Sequence, residues 1–324
     1  MERQSTTTAR GQKVRGFLGK YGTLVGLAVV VVIFTILQPR VFLTFENIVN
    51  ILNQIALVSI ISAGLTVVMV MGEFDLSLGT MSSFAGCLSV GLSMQIGPSA
   101  GIAVGVLSGV AVGLTNGSVV VFLSVSAFIV TIAMSSVITG FTYWYTGGAT
   151  IFGDIPEAFL NLARGQLIPG VANMVIIMLI LLFLLWMLLE HTIIGRQMYA
   201  VGGNPVAARY SGINIKKCKM IGFLICSSCA AIGGILLASR IGAGHPTGGE
   251  TFLLDSFTAV FLGAATLKGG RFHILGTLIG ALLIGVVTNG LTIMNVQYYF
   301  QFIFSGLILI LAISASGINR RVST

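Results

Sequence analysis

Long apolar stretches separated by short polar connections make up most of the chain. Each stretch comes near the length of about 20 apolar residues that crosses the hydrocarbon core of a bilayer. The stretches lie at about 21–38, 54–72, 77–96, 100–115, 118–139, 168–190, 219–238, 253–267, 273–291 and 298–316. This pattern predicts an all-α polytopic membrane protein with about ten transmembrane helices.

Composition excludes an ordinary water-soluble domain. Hydrophobic residues account for 56% of the chain, charged residues for 8%, and the mean hydropathy is +1.02, whereas soluble domains carry roughly 25% charged residues. The first apolar run ends in Gln38-Pro39-Arg40 instead of a small-residue cleavage site, so we interpret it as a retained helix and not as a signal peptide.

The net charge of +8 is best explained by membrane orientation and not by nucleic-acid binding. If the N-terminus is cytoplasmic, ten crossings return the C-terminus to the cytoplasm and leave only Arg40, Arg164 and Arg240 outside. The cytoplasmic side then holds Arg3, Arg10, Lys13, Arg15, Lys20, Arg196, Arg209, Lys216, Lys217, Lys219, Lys268, Arg271, Arg320 and Arg321. Such an excess of inner Lys and Arg is typical of membrane proteins. We therefore expect a basic cytoplasmic tail at 1–20, one transmembrane domain at 21–316 and a cytoplasmic tail at 317–324.

Two connections are longer than simple turns. The outer one, at about 140–167, has an amphipathic pattern that favours a position along the membrane surface. The inner one, at about 191–218, is polar and basic, and it contains Asn204 followed by Pro205, which is typical of a helix start. The pattern predicts a short cytoplasmic helix ended by Gly212 that docks on a partner; an ordinary basic loop is the alternative.

Regularly spaced glycines indicate close helix packing. Gly101, Gly105, Gly109 and Gly113 recur every four residues, and Gly276 and Gly280 repeat the spacing. Rows of small residues let helix backbones approach closely in lipid. We predict internal packing, with the seam of a homodimer as the alternative. Cys87, Cys218, Cys226 and Cys229 form no CxxC pair and are predicted to be small, apolar packing residues.

The sequence Glu73-Phe74-Asp75 places two carboxylates between apolar stretches. Either Asp75 or Ser77 caps the next helix, or the break lines a substrate path, since irregular backbone at membrane depth is tolerated where it faces protein or water. Both hypotheses can hold together. The candidate path residues are Phe74, Asp75, Ser77, Thr80 and Asn289.

Motifs of soluble enzymes are missing from the chain. It has no GxxxxGK[ST] phosphate loop and no HExxH zinc motif, and we expect no metal site. Ionisable residues are scarce within the apolar stretches, whereas ion-coupled carriers commonly keep them at mid-membrane. This scarcity favours a transporter that receives its energy from another subunit.

Three segments carry a resemblance to a known family. GEFDLSLG at 72–79 resembles a G-x-x-D-L-S-x-G segment, residues 203–213 resemble G-N-x-x-A-A-x-x-S-G-I, and 237–291 resembles the family's C-terminal half. The chain resembles the permease subunits of ribose-type (monosaccharide) ATP-binding-cassette importers, whose membrane domains are permease bundles of the large-helix-number type. The N-terminal tail and 140–167 match least.

The resemblance implies a transporter subunit and not an enzyme. It implies a homodimer, or a heterodimer with a similar permease, in the lipid of a bacterial inner membrane. Two ATPase subunits would hold ATP and Mg²⁺, so that this chain carries no cofactor, and a periplasmic or lipoprotein sugar-binding protein would deliver a monosaccharide or polyol; no nucleic acid is involved. The residues implied to couple to the ATPase are Gly203, Asn204, Ala207, Ala208, Arg209, Ser211 and Gly212. Alternatives are a permease for amino acids or nucleosides, an ion-coupled carrier or channel, and an intramembrane enzyme.

Overall fold

A computed structural model describes residues 21–267, 270–297 and 299–310. The predicted tails at 1–20 and 317–324, and Lys268, lie outside the described residues. The helices are α1 (Tyr21–Leu37), α2 (Phe45–Met69), α3 (Leu78–Ile96), α4 (Pro98–Phe122), α5 (Ala127–Thr146), α6 (Glu157–Arg164), α7 (Asn173–His191), α8 (Ile193–Gly203), α9 (Pro205–Tyr210), α10 (Ile215–Ile241), α11 (Thr251–Ala264), α12 (Ile274–Ile293) and α13 (Tyr299–Ile310).

The predicted all-α membrane architecture is confirmed for the described part of the chain. Six helices, α2, α4, α5, α7, α10 and α12, are long and apolar enough to cross a membrane, and α1, α11 and α13 are shorter apolar helices. Extended pairing within the described ranges is limited to two isolated bridges, Ile151 with Gly244 and Ile168 with Val171.

Several predicted helix boundaries are wrong because buried polar residues belong to helices. The second helix begins at Phe45 and not near 54, since Asn47 exchanges two side-chain hydrogen bonds with Asn289 of α12, of 3.0 and 2.9 Å. The predicted break near Asn116 is absent; α4 continues to Phe122, and the Asn116 side chain is buried. A polar residue with a hydrogen-bond partner does not end a membrane helix.

The outer connection is shorter than predicted, because α5 extends to Thr146. The aromatic residues of this region, including the exposed Trp144, therefore lie at the end of a helix, where aromatic side chains are common at membrane surfaces. The remaining connection contains the amphipathic α6, whose Phe159 and Ala163 are buried. Ser239 of α10 holds α6 in place by accepting from the Ala163 N–H at 3.0 Å.

Helix α10 lies at the centre of the bundle and packs against α2, α3 and α4. The contacts are between small residues. A Cβ atom added to Gly109 of α4 would lie 2.6 Å from the Ala231 Cβ and 2.8 Å from the Ser227 carbonyl oxygen, both on α10. These separations leave no room for a side chain, so the backbones of α4 and α10 are in direct contact.

The whole glycine row of α4 lies inside the chain. Gly101 and Gly105 face Ser89 and Ser93 of α3, whereas Gly109 and Gly113 face α10. Gly276 and Gly280 pack in the same way against the backbone of α11. The α11–α12 pair contacts α2, and Thr23 of α1 donates to the Leu262 carbonyl oxygen at 2.9 Å. All four cysteines are buried and free of disulfides.

We predict that Gly109→Ala destabilises the bundle, because overpacking a tight interior costs about 1–3 kcal/mol. Gly140→Ala on α5 is the matched control, since no atom lies within 4 Å of an added Cβ there. Thermal unfolding of the purified chain in detergent should show a lower midpoint for Gly109→Ala and an equal or higher midpoint for Gly140→Ala. Equal midpoints for the two variants would contradict the packing.

Candidate functional site

The connection between α2 and α3 is an extended segment, 72–77, that rises into the bundle. Its second residue, Glu73, forms an ion pair with Lys219 near the start of α10. Two residues later, the Asp75 carboxylate reaches Ser227 of the same helix at 3.4 Å. Lys219 and Ser227 are separated by about 12 Å of helix at 1.5 Å per residue, so α3 begins well inside the bundle.

Asp75 is fully buried and fastens this segment. Its Oδ1 accepts hydrogen bonds from the backbone N–H of Ser77 at 2.9 Å and from the Ser77 hydroxyl at 2.6 Å. The Asn116 amide of α4 donates to the same hydroxyl at 3.1 Å. These bonds tie the segment to α4 and α10.

The predicted capping role needs correction. Ser77 does occupy the N-cap position of α3, but its side chain makes no capping hydrogen bond. The Asp75 carboxylate bonds the N–H of Ser77 itself and not an N–H of the first helical turn. Asp75 therefore fixes the conformation of the extended segment, whose position within the bundle needs a satisfied backbone.

A second non-helical segment, 242–250, made mostly of turns, enters the bundle from the opposite end. Gly244 lies against Cys87 of α3, and the Gly249 N–H donates to the Ser83 hydroxyl at 2.9 Å. A Cβ atom added to Gly79 would lie 3.0 Å from the Gly249 carbonyl oxygen. The first turns of α3 and α11 therefore meet inside the bundle, each preceded by a non-helical segment.

A cavity of about 720 Å³ opens on the other side of Phe74, between the end of α2, helix α8 and the last turn of α11. It is lined by Met69, Val70, Gly72, Phe74, Tyr199, Ala200, Gly202, Gly203, Phe261, Ala264, Gly270, Arg271 and Phe272. Phe74 stacks on Phe257 with ring centroids 6.2 Å apart, and Phe257 stacks on Phe261 at 6.4 Å. The cavity thus has one aromatic wall, contributed by the 72–77 segment and α11.

The predicted path residues do not form one group. Phe74 lines the cavity, whereas Asp75 and Ser77 are fully buried beside it. Thr80 lies one turn into α3 and donates to Ser135 of α5 at 3.3 Å. Asn289 pairs with Asn47, which is separated from Met69 by about 33 Å of α2. Asn289 therefore lies near the opposite end of the bundle.

The inner connection contains two helices, of which only α9 was predicted. Asn204 caps α9 as expected: its side-chain oxygen accepts from the N–H groups of Val206 and Ala207, both at 3.0 Å. Gly212 follows with φ +78°, a conformation that glycine adopts without steric cost. Val206 and Tyr210, one turn apart, are 63% and 88% exposed. Helix α9 therefore presents an apolar surface away from the bundle.

Helix α8 connects this surface to the cavity. Its signal in the sequence is Thr192, whose hydroxyl accepts from the Gly195 N–H at 3.1 Å. The Tyr199 hydroxyl lies 3.1 Å from the Phe272 carbonyl oxygen and 3.2 Å from the Glu190 carboxylate. Burial and the charge of Glu190 raise the pKa of Tyr199, so this hydroxyl keeps its proton at neutral pH and can donate it to either oxygen.

The predicted coupling residues fall into two groups. Ala208 is buried against the chain, whereas the others are exposed: Gly203, Asn204, Ala207, Arg209, Ser211 and Gly212. The neighbouring Gly202 of α8 packs against the Val70 carbonyl at the end of α2. Helix α8 therefore contacts the chain directly before the 72–77 segment.

Basic residues collect at the same end of the bundle as α8 and α9. Arg271 lines the large cavity, and Arg209, Lys216 and Lys219 surround Glu73 in a second cavity. At the other end, Arg164 donates to the Arg240 carbonyl oxygen at 2.9 Å. Among the described residues, the basic side chains that line these two cavities therefore lie at the end of the bundle opposite to Arg164 and Arg240. Across the described ranges, no group of three His, Cys, Asp or Glu side chains could hold a metal ion.

Comparison with known proteins identifies the family. Residues 47–313 match the family model described as "Branched-chain amino acid transport system / permease component". The chain is 34% identical over 315 residues to the ribose import permease of Escherichia coli (strain K12). The alignment covers 95% of this chain and 98% of that protein.

Two further relatives agree with this match. The ribose import permease of Bacillus subtilis (strain 168) is 37% identical over 300 residues, covering 92% of both chains. The D-allose transport system permease of E. coli (strain K12) is 33% identical over 300 residues, covering 92% of this chain and 91% of that protein. No solved structure matches the chain. The chain therefore belongs to the permease family that includes the ribose import permeases, and it is a transporter subunit and not an enzyme.

Proposed function

We propose that this chain is the membrane-spanning permease subunit of an ATP-driven importer for a monosaccharide or a related polyol. The proposal rests above all on full-length similarity to permeases named for ribose and D-allose, which covers more than nine-tenths of each chain. The family model itself is named for branched-chain amino acids, so an amino acid is the competing solute that an experiment must distinguish.

The proposed topology has ten crossings, in one domain at 21–316, with both termini in the cytoplasm of a bacterium and the chain in its inner membrane. The count is supported by the two non-helical segments, 72–77 and 242–250. Helix α11 has 14 residues, about 21 Å, which is shorter than the roughly 30 Å core of a bilayer. Together with 242–250 it can complete one crossing, and α3 together with 72–77 completes another.

The cavity between the end of α2, α8 and the last turn of α11 is the proposed inner part of the translocation path. Phe74 supplies its wall, and Asp75 and Ser77 hold that wall in place through their contacts with α4 and α10. Thr80 and Asn289 are proposed to contribute farther along the path. Aromatic and hydroxyl groups suit an uncharged, hydroxylated solute. The aromatic wall could also close the path, since hydrophobic constrictions gate other pores.

The exposed face of α9 is the proposed docking surface for an ATPase subunit. Val206 and Tyr210 are far more exposed than is usual for apolar side chains outside a membrane, and exposed apolar patches mark sites of interaction. Through Gly202 and Tyr199, α8 contacts both the end of α2 and the start of α12. Closure of the ATPase subunits would therefore reach both sides of the cavity.

The complete transporter is proposed to contain two permease chains, two ATPase subunits and a sugar-binding protein outside the inner membrane. ATP and Mg²⁺ would bind to the ATPase subunits and not to this chain. The chain itself then supplies a path and a mechanical link. Neither role requires a cofactor or a metal.

We predict ATP-dependent solute uptake by the complete transporter in proteoliposomes. Labelled ribose, allose, fructose and leucine would be supplied together with the matching binding protein. Accumulation of one sugar is expected only when ATP and the ATPase subunits are present. Uptake by this chain alone, driven by a proton or sodium gradient, would contradict the proposal. Uptake of leucine and of none of the sugars would assign an amino acid as the solute.

We also predict that Tyr210→Ser weakens the contact with the ATPase. Tyrosine is enriched among the interface residues whose truncation costs about 2 kcal/mol or more, so association should fall at least about ten-fold. Tyr143→Ser, at the other end of the bundle, is the matched control. Copurification of ATPase subunits from detergent should fall for Tyr210→Ser alone, with equal amounts of both variants in the membrane. Unchanged copurification would show that α9 does not form the contact.

A further inference from the structure

A second cavity, of about 370 Å³, lies at the turn between α4 and α5. The turn contributes Val120, Val121, Ser124, Val125, Ser126 and Ala127, and the other wall is formed by Glu73, Arg209, Ile215, Lys216 and Lys219. This cavity shares no residue with the 720 Å³ cavity, and Arg209 is its one lining residue from α9. It opens at the end of the bundle where the basic residues collect.

The charges around this cavity are predominantly positive. Glu73 forms an ion pair with Lys219, so these two charges largely offset each other. Arg209 and Lys216 supply two further positive charges, and neither forms a salt bridge with any of the residues that the structure describes. The cavity therefore attracts an anion.

The first turn of α5 adds hydrogen-bond donors to the same cavity. Ser126 is at the N-cap position of this 20-residue helix, but its side chain makes no capping hydrogen bond. The first N–H groups of a helix lack partners within the helix and carry partial positive charge. Two basic side chains and a helix start thus point to a group such as phosphate.

Exposed apolar side chains surround the cavity. Phe122 and Leu123 are 64% and 68% exposed, and Phe128 and Ile129 of α5 are 54% and 63% exposed. The Lys216 ammonium lies 5.4 Å from the centre of the Phe122 ring. A charged cavity with an apolar rim fits a molecule that has an anionic head and an apolar tail.

We propose that this cavity binds the phosphate group of an anionic phospholipid, with the acyl chains along Phe122, Leu123 and the first turns of α5. Basic pockets between membrane helices at the cytoplasmic surface are suited to anionic headgroups. The apolar rim favours a lipid over free phosphate. This site is independent of which solute the transporter carries. Ile215 and Lys216, which line the cavity, are the first two residues of α10, so a bound lipid would also stabilise the start of that helix.

The experiment measures lipid retained by the purified full-length chain. Delipidated protein would be incubated with equal amounts of phosphatidylglycerol and phosphatidylcholine and analysed by native mass spectrometry. Lys216→Gln tests the cavity, and Lys217→Gln is the matched control, because Lys217 is an exposed neighbour that does not line it. Excess inorganic phosphate is added in a separate arm.

The wild type and Lys217→Gln should prefer phosphatidylglycerol, and Lys216→Gln should reduce that preference about five-fold, as expected for the loss of one basic contact with an anionic lipid. Thermal unfolding in neutral lipid should be equal for all three proteins, which separates binding from folding. An equal preference in wild type and Lys216→Gln would overturn the proposal, as would an equal loss in both variants. If the wild type showed no preference between the two lipids and bound inorganic phosphate instead, the site would be assigned to free phosphate.

Discussion

The architecture depends on direct backbone contact between α10 and the helices around it. In lipid there is no hydrophobic force between helices, so association relies on close packing and interhelical hydrogen bonds. Glycine at Gly109 and Gly86 lets α4 and α3 approach the α10 backbone. The same close approach brings Ser227 within reach of Asp75 and Ser82 within reach of the Ala230 carbonyl oxygen. Side chains on these faces would separate the helices and leave buried polar groups without partners.

Close packing also makes the two non-helical segments possible. Backbone groups outside a helix cannot face lipid, and both segments lie instead between α3 and its neighbours. One is fastened by Asp75, and the other donates from Gly249 to Ser83. The segments end where α3 and α11 begin, and the first turns of these two helices are in contact. A displacement of one segment would therefore move the other. Helix α8 contacts Val70 and Met71, directly before the first segment, and it also lines the cavity, so the cavity and the exposed helix α9 are connected through α8.

Much of this organisation could be predicted from sequence, because hydrophobic runs and the asymmetry of basic residues are local properties. The capped helix at Asn204 and the glycine row of α4 follow from spacing alone. The start of α2 and the continuation of α4 past Asn116 could not be predicted in this way, since each depends on a partner distant in sequence. The same holds for the pairing of Asn289 with Asn47, which removed Asn289 from the expected group. The approach of Gly79 to Gly249 joins residues far apart in the chain, and no local pattern indicates it.

We propose that the basic end of the bundle, with α8 and α9, faces the cytoplasm, and the coupling to ATPase subunits requires this orientation. Single cysteines introduced at Lys217 and at Gln166, in a chain without its four buried cysteines, would be treated with a membrane-impermeant maleimide in intact cells lacking an outer-membrane barrier. We expect labelling at 166 in intact cells and labelling at 217 only after the membrane is opened. Labelling at 217 in intact cells would contradict it.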